Sequence, residues 1–112
     1  MTVTIYHNPR CSKSRQTLSL LQENNVTPII IEYLNTPPTA AELTQILSML
    51  GVSPADMLRR GDAKEAGIDP TLDNDALIAA MVANPIVIER PIVIANGKAR
   101  IGRPPECVLE IL

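Results

Sequence analysis

Val3-Thr4-Ile5-Tyr6-His7-Asn8-Pro9-Arg10-Cys11-Ser12-Lys13-Ser14-Arg15 is the stretch on which the reading of this chain turns. Val3 and Ile5 alternate with Thr2 and Thr4, and β-branched residues dominate, so the pattern predicts a strand ending near Tyr6. The segment His7 to Arg10 is turn-like, because Pro9 fixes its own φ and pushes Asn8 out of the helical region. From Ser12 to about Asn24 there is no proline or glycine, and Leu18 and Leu21 fall at helical spacing. A helix is therefore expected to open immediately after Cys11.

A thiol at a helix start faces unpaired backbone N–H groups and the positive end of the helix dipole, both of which favour the thiolate. His7, Arg10, Lys13 and Arg15 add nearby groups that are cationic or can become so, and Ser12 and Ser14 add hydroxyls. The segment from Asn8 to Arg15 thus reads as an oxyanion cradle around a nucleophilic sulfur. An unpaired cysteine is more often a small buried hydrophobe, and this concentration of charge is what separates Cys11 from that case. Cys107 has Glu106 and Glu110 as neighbours, which disfavour a thiolate, so it is read as packing unless the fold brings it to Cys11. Three residues after Cys11 stands Ser14, so the loop holds no Cys-x-x-Cys pair, and a redox cycle needs an external thiol. The arginine of a cysteine-phosphatase loop, six positions after the cysteine, is replaced by Thr17.

Moving outward, Pro28 separates the first helix from Ile29-Ile30-Ile31-Glu32-Tyr33, which reads as a buried strand and completes a βαβ unit. Thr39 and Glu42 have capping-box spacing, and Leu43, Ile46, Leu47 and Leu50 follow as a second helix stopped by Gly51. Ser53-Pro54 starts a short third helix toward Arg60, Gly61 to Asp73 reads as surface loop, and Asp73 caps a fourth helix before Pro85. Ile92–Ala95 and Lys98–Ile101 flank Asn96-Gly97, the pair suited to a two-residue hairpin. Pro104-Pro105 then opens a last helix carrying Val108, Leu109 and Leu112.

One domain is expected over residues 1–112. With 46% hydrophobic and 20% charged residues the chain reads as soluble and globular. It has no apolar run long enough to span a bilayer and no secretory leader, so cytoplasmic localisation is expected. A net charge of -2 argues against nucleic acid or anionic membrane as a partner. The two cysteines and one histidine make neither a disulfide scaffold nor a metal site.

His7-Asn8-Pro9-Arg10-Cys11-Ser12-Lys13-Ser14-Arg15, followed by Tyr33-Leu34-Asn35-Thr36-Pro37-Pro38, Arg90-Pro91-Ile92-Val93 and Gly102-Arg103-Pro104-Pro105-Glu106, resembles the glutaredoxin-coupled arsenate reductases along nearly the whole chain. The resemblance implies an α/β, thioredoxin-like fold: a mixed four-stranded sheet with a helical insertion. It also implies a function. Cys11 would attack arsenate, glutathione would attack the adduct, and glutaredoxin would resolve the mixed disulfide as arsenite leaves, with no tightly bound cofactor. His7 matches a histidine credited with lowering the thiolate pKa, and Ser14 and Arg15 match loop positions. Arg59, Arg90 and Arg103 match three anion-binding arginines, with Arg60 as the alternative to Arg59, and Pro91 matches the cis-proline facing the catalytic loop. Several guanidinium forks are a physically sound way to hold a tetrahedral anion. Two other functions stay open. One is a glutathione-linked reaction on another substrate. The other is non-enzymatic regulation through RNA polymerase, whose carriers often have the Cys-x-x-Cys absent here.

Overall fold

The computed structural model describes residues 2–112, which form two compact units. The first comprises residues up to Thr36 together with Arg90–Leu112. Strand β1 (Val3–His7) leads through the cysteine loop into helix α1 (Ser12–Glu23), which returns the chain to β2 (Ile29–Glu32). β1 and β2 are parallel, with Thr4 opposite Ile29 and His7 opposite Glu32. Strand β3 (Ile92–Ala95) runs antiparallel to β1, and β4 (Lys98–Ile101) closes the order β2-β1-β3-β4. This is the expected mixed thioredoxin-like sheet. Asn96 (φ 55°) and Gly97 (φ 71°) make the hairpin, since a turn matching the sheet twist needs positive φ at both positions.

One face of this sheet carries the core of the unit. Val3, Ile5, Val93 and Ala95 pack with Leu21 of α1 and with Val108 and Ile111 of the C-terminal segment. The last helix expected from Pro104-Pro105 forms over Pro105–Ile111, and it is a 3₁₀ helix. Its buried residues are Pro105, Val108 and Ile111, a spacing of three that lines up on one face only when the helix has three residues per turn. A correction concerns β2. As the edge strand it leaves Ile29 55% and Ile30 47% exposed, so three successive isoleucines do not make a buried strand here.

The second unit, Pro37–Glu89, is the helical insertion between β2 and β3. Helix α2 (Ala40–Leu50) has its capping box closed in both directions: Glu42 N–H donates to Thr39 Oγ1 at 3.1 Å, and Thr39 N–H donates to Glu42 Oε1 at 3.0 Å. Gly51, with φ 70°, ends it. The third helix expected from Ser53-Pro54 toward Arg60 is a single 3₁₀ turn, Pro54–Met57. The chain then extends, because Leu58 bridges Ile88, Arg59 N–H donates to Val87 O, and Glu89 N–H donates to Met57 O. Helix α3 (Arg60–Glu65) follows inside the stretch read as loop, with Asp62 in its first turn beside the positive end of its dipole. Helix α4 (Asn74–Ala83) is capped by Asp73, whose Oδ1 accepts from Ala76 N–H at 2.8 Å. Among the described residues, no helix is long and apolar enough to cross a membrane.

Candidate active site

The loop between β1 and α1 is shaped by Asn8, which is buried. Its Oδ1 accepts from Arg10 N–H at 3.0 Å, and its carbonyl accepts from Cys11 N–H at 3.0 Å. An asparagine side chain that mimics a backbone turn in this way fixes the path of Pro9 and Arg10. Cys11 then occupies the N-cap of α1 in extended conformation (φ -92°, ψ 123°), and its carbonyl accepts the first helical bond, from Arg15 N–H at 3.0 Å. The thiol makes no capping bond, so the N–H groups of the first turn are available to a thiolate.

Burial pushes the Cys11 thiol up. Against it act the Ser14 N–H, the Arg90 side chain, the Lys13 N–H and the charge of Arg103, and together they hold the thiol below its ordinary 9.0. Arg103 Nη2 donates to the sulfur at 3.6 Å. Its Nε donates to the carbonyl of Arg90 at 2.8 Å, so the guanidinium is anchored at one edge and presents another to the sulfur. Both arginines precede prolines through cis peptides, Arg90-Pro91 and Arg103-Pro104, which agrees with the expectation for Pro91.

Gly102 allows this approach. A Cβ there would overlap Thr17 Oγ1 of α1 and come within 2.8 Å of Pro91 Cγ. Gly102 N–H donates to Pro91 O at 3.0 Å, tying the end of β4 to the start of β3 beside the helix. Thr17 is wholly buried, and its hydroxyl donates to Lys13 O at 2.8 Å, filling the space a longer side chain would close.

His7 is nearly buried at the end of β1, and its Nδ1 lies 2.6 Å from Ser14 Oγ in a hydrogen bond. Ser14 Oγ also accepts from Asn8 N–H at 3.0 Å. Burial lowers the His7 pKa from 6.5, Glu32 opposes that shift, and Arg15 adds to it. The imidazole is consequently neutral at neutral pH, and its contact is with Ser14, not with the sulfur. His7 thus brings no positive charge to the loop at neutral pH.

Of the residues singled out from sequence, the structure gathers Cys11, Ser14, His7, Arg90 and Arg103 around one loop. Arg15 donates from Nη1 to Pro9 O at 3.0 Å, bracing the loop backbone. Arg59 belongs to the inserted unit, where Nε donates to Asp62 at 2.8 Å and Nη1 to Glu89 at 3.1 Å. Cys107 is half-buried on the C-terminal 3₁₀ helix. Three contributors escaped the sequence reading: Asn8 as the loop's organiser, and Thr17 and Gly102 as the close contact beneath it. Asn8 before a proline was a usable turn signal, whereas nothing local marks Gly102 as touching a helix some 85 residues earlier (102 − 17).

The ArsC family model matches residues 6–111 of this chain. The Escherichia coli K12 protein YfgD is 58% identical, covering 98% of this chain and 96% of that one. An arsenate reductase of Neisseria meningitidis is 50% identical, covering 98% and 97%. Among solved structures, arsenate reductase from Vibrio cholerae superposes with a TM-score of 0.90 at 50% identity, covering 100% of this chain and 98% of that one. A family model matching residues 6–111 and relatives 50% identical over nearly their full length, through the cysteine loop, the helical insertion and the Gly102–Glu106 segment, place the chain in the ArsC family.

Proposed function

We propose that this chain is an arsenate reductase that draws its electrons from glutathione and is reset by glutaredoxin. The observation that carries the reading is the Arg103 guanidinium 3.6 Å from a Cys11 sulfur whose pKa is lowered at a helix N-cap, with Arg90 acting on the same atom. A nucleophile and two permanent cations at one point fit a tetrahedral oxyanion that must be both held and attacked.

The Cys11 thiolate attacks arsenic(V), a sulfur–arsenic bond forms, and one arsenate oxygen leaves as water after protonation. Arg90 and Arg103 hold the remaining oxygens. Glutathione thiolate next attacks the Cys11 sulfur: a disulfide forms, the sulfur–arsenic bond breaks with its electron pair passing to arsenic, and arsenite departs. Glutaredoxin takes the glutathionyl group by thiol–disulfide exchange and frees Cys11 again. Ser14 and His7 are positioning residues, since their bonds hold the first turn whose N–H groups face the sulfur. Arg15 and Arg59 keep their Pro9, Asp62 and Glu89 partners, and the step relies on neither. The chemistry needs no tightly bound cofactor, only glutathione as co-substrate, and a reducing cytoplasm supplies it.

The test is arsenate-dependent NADPH oxidation with glutathione, glutathione reductase and glutaredoxin. Activity is expected in the natural chain and in Cys107→Ser, and none in Cys11→Ser. A natural chain with a titratable low-pKa thiolate but no arsenate-dependent oxidation would sink arsenate as the substrate.

A further inference from the structure

Beside Cys11 an open groove of about 630 Å³ runs along the exposed side of α1, walled on its other side by Pro104, Pro105 and Glu106. It begins next to the cysteine: Ser12, which follows Cys11, and Pro104, which follows the Arg103 that contacts the sulfur, both line it. The helical stripe Ser12, Gln16, Ser19 and Glu23 forms its floor. By helical spacing Lys13 and Arg15 stand on opposite flanks of that stripe at the Cys11 end, and Glu106 belongs to the wall. The groove is thus charged with both signs where it meets the nucleophile and offers hydroxyl and amide groups between them.

We infer that this groove is the seat of the thiol co-substrate, a γ-glutamyl tripeptide, with Lys13 and Arg15 taking its two carboxylates and Glu106 its ammonium. The inference rests on the glutathione-dependent reading above and adds where that thiol sits. Glutathione carries a carboxylate at each end, an ammonium at one end and the thiol in the middle, which matches two separated cations, one anion and a sulfur at the groove's mouth. Size agrees as well. An α-linked tripeptide extends about 10 Å and the γ-linkage adds roughly 2–3 Å, while Ser12 to Glu23 spans about 16 Å of helix, so a ligand held at the Cys11 end stops short of Glu23. The step served is thiol–disulfide chemistry at Cys11, and oxidised glutathione tests it without arsenate: Cys11 thiolate attacks one sulfur, the mixed disulfide forms, and one glutathione thiolate leaves.

The measurement is the rate of Cys11 glutathionylation by oxidised glutathione, followed by mass, divided by the rate with the uncharged disulfide of 2-mercaptoethanol. Taking this ratio cancels any change in thiol pKa. Lys13→Glu and Glu106→Lys are each expected to lower it roughly three- to tenfold, the effect of losing one exposed charge pair and gaining a repulsion. Glu23→Lys is expected to leave it unchanged, because about 16 Å of helix separates it from the Cys11 end, where the charged contacts are made, farther than the Debye length of about 10 Å at 0.1 M salt. A ratio indifferent to Lys13→Glu and Glu106→Lys would overturn the assignment, and so would an equal fall in Glu23→Lys, which would mean a longer occupant such as a protein thiol. Charge-sensitive glutathionylation in a chain that fails to reduce arsenate would sustain the groove and remove arsenate alone.

Discussion

Cys11 is held between burial, which favours the thiol, and a ring of N–H groups and guanidiniums, which favours the thiolate. Because the second influence prevails, the active form accumulates below pH 9.0, and activity is expected to rise with pH on that shifted limb. Arg103→Ala removes one of the stabilising charges, so the Cys11 titration seen by ultraviolet thiolate absorbance is expected to move up. It also removes a charged contact to the anion, and kcat/KM for arsenate should fall roughly ten- to a hundredfold. An unmoved thiol titration in Arg103→Ala would show that the guanidinium does not act on the sulfur.

His7 titrates in the opposite sense to a charge-donating histidine. Its folded pKa lies below 6.5, so between that lowered value and 6.5 the unfolded chain binds more protons than the folded one. Stability is therefore expected to fall as pH drops through this window and to level off below the folded pKa. His7→Gln should flatten that part of the curve in urea titrations at stepped pH. Ser14→Ala leaves the Asn8 N–H and the His7 ring without their shared buried partner and is expected to cost about 1–3 kcal/mol.

At the level of elements, the contact of Gly102, just past β4, with α1 is the one that positions Arg103, and it depends on a missing side chain. Gly102→Ala forces a methyl into Thr17 and Pro91, and overpacking of this kind costs about 1–3 kcal/mol. Thr17→Ala opens the same space, so the double variant should recover part of the loss. Strict additivity of the two in thermal unfolding would show that they do not touch. The elements legible in sequence were those with their own end signals. Thr39 with Glu42 bounds α2, Asp73 bounds α4, and Asn96-Gly97 makes the hairpin, because each supplies its hydrogen bonds or φ values locally. The misread elements depend on partners distant in sequence. Nothing in Ile29-Ile30-Ile31 says that β2 lies at a sheet edge, and α3 begins where it does because Leu58 bridges Ile88, thirty residues away (88 − 58). The C-terminal helix was legible from Pro104-Pro105, but its 3₁₀ form was not. Val108, Leu109 and Leu112 fit an α-helical face, and only the packing shows that Val108 and Ile111 are the buried pair.

The molecule as a whole carries a charge of -2, yet the surroundings of Cys11 are cationic. The cysteine loop could be read from sequence as such a site because Arg10, Cys11, Lys13 and Arg15 are neighbours. The contributions of Arg90 and Arg103 needed the fold, since only the β1–β3–β4 pairing brings residues 79 and 92 positions away (90 − 11, 103 − 11) to that sulfur. A local positive potential on a molecule of opposite net sign should govern what reacts at Cys11, and over a limited range. Anionic iodoacetate is therefore expected to alkylate Cys11 faster, relative to neutral iodoacetamide, than it alkylates a free peptide thiol. The advantage should shrink as ionic strength passes about 0.1 M, where screening acts within about 10 Å. Arg103→Ala should reduce the iodoacetate preference at low salt and leave less for salt to remove. A preference that is absent would mean that the net charge of -2 rather than the gathered arginines sets the field at the sulfur, and one that persists undiminished at high salt would mean that it does not arise from a screened field at all. The oxyanion reading would then lose its electrostatic basis.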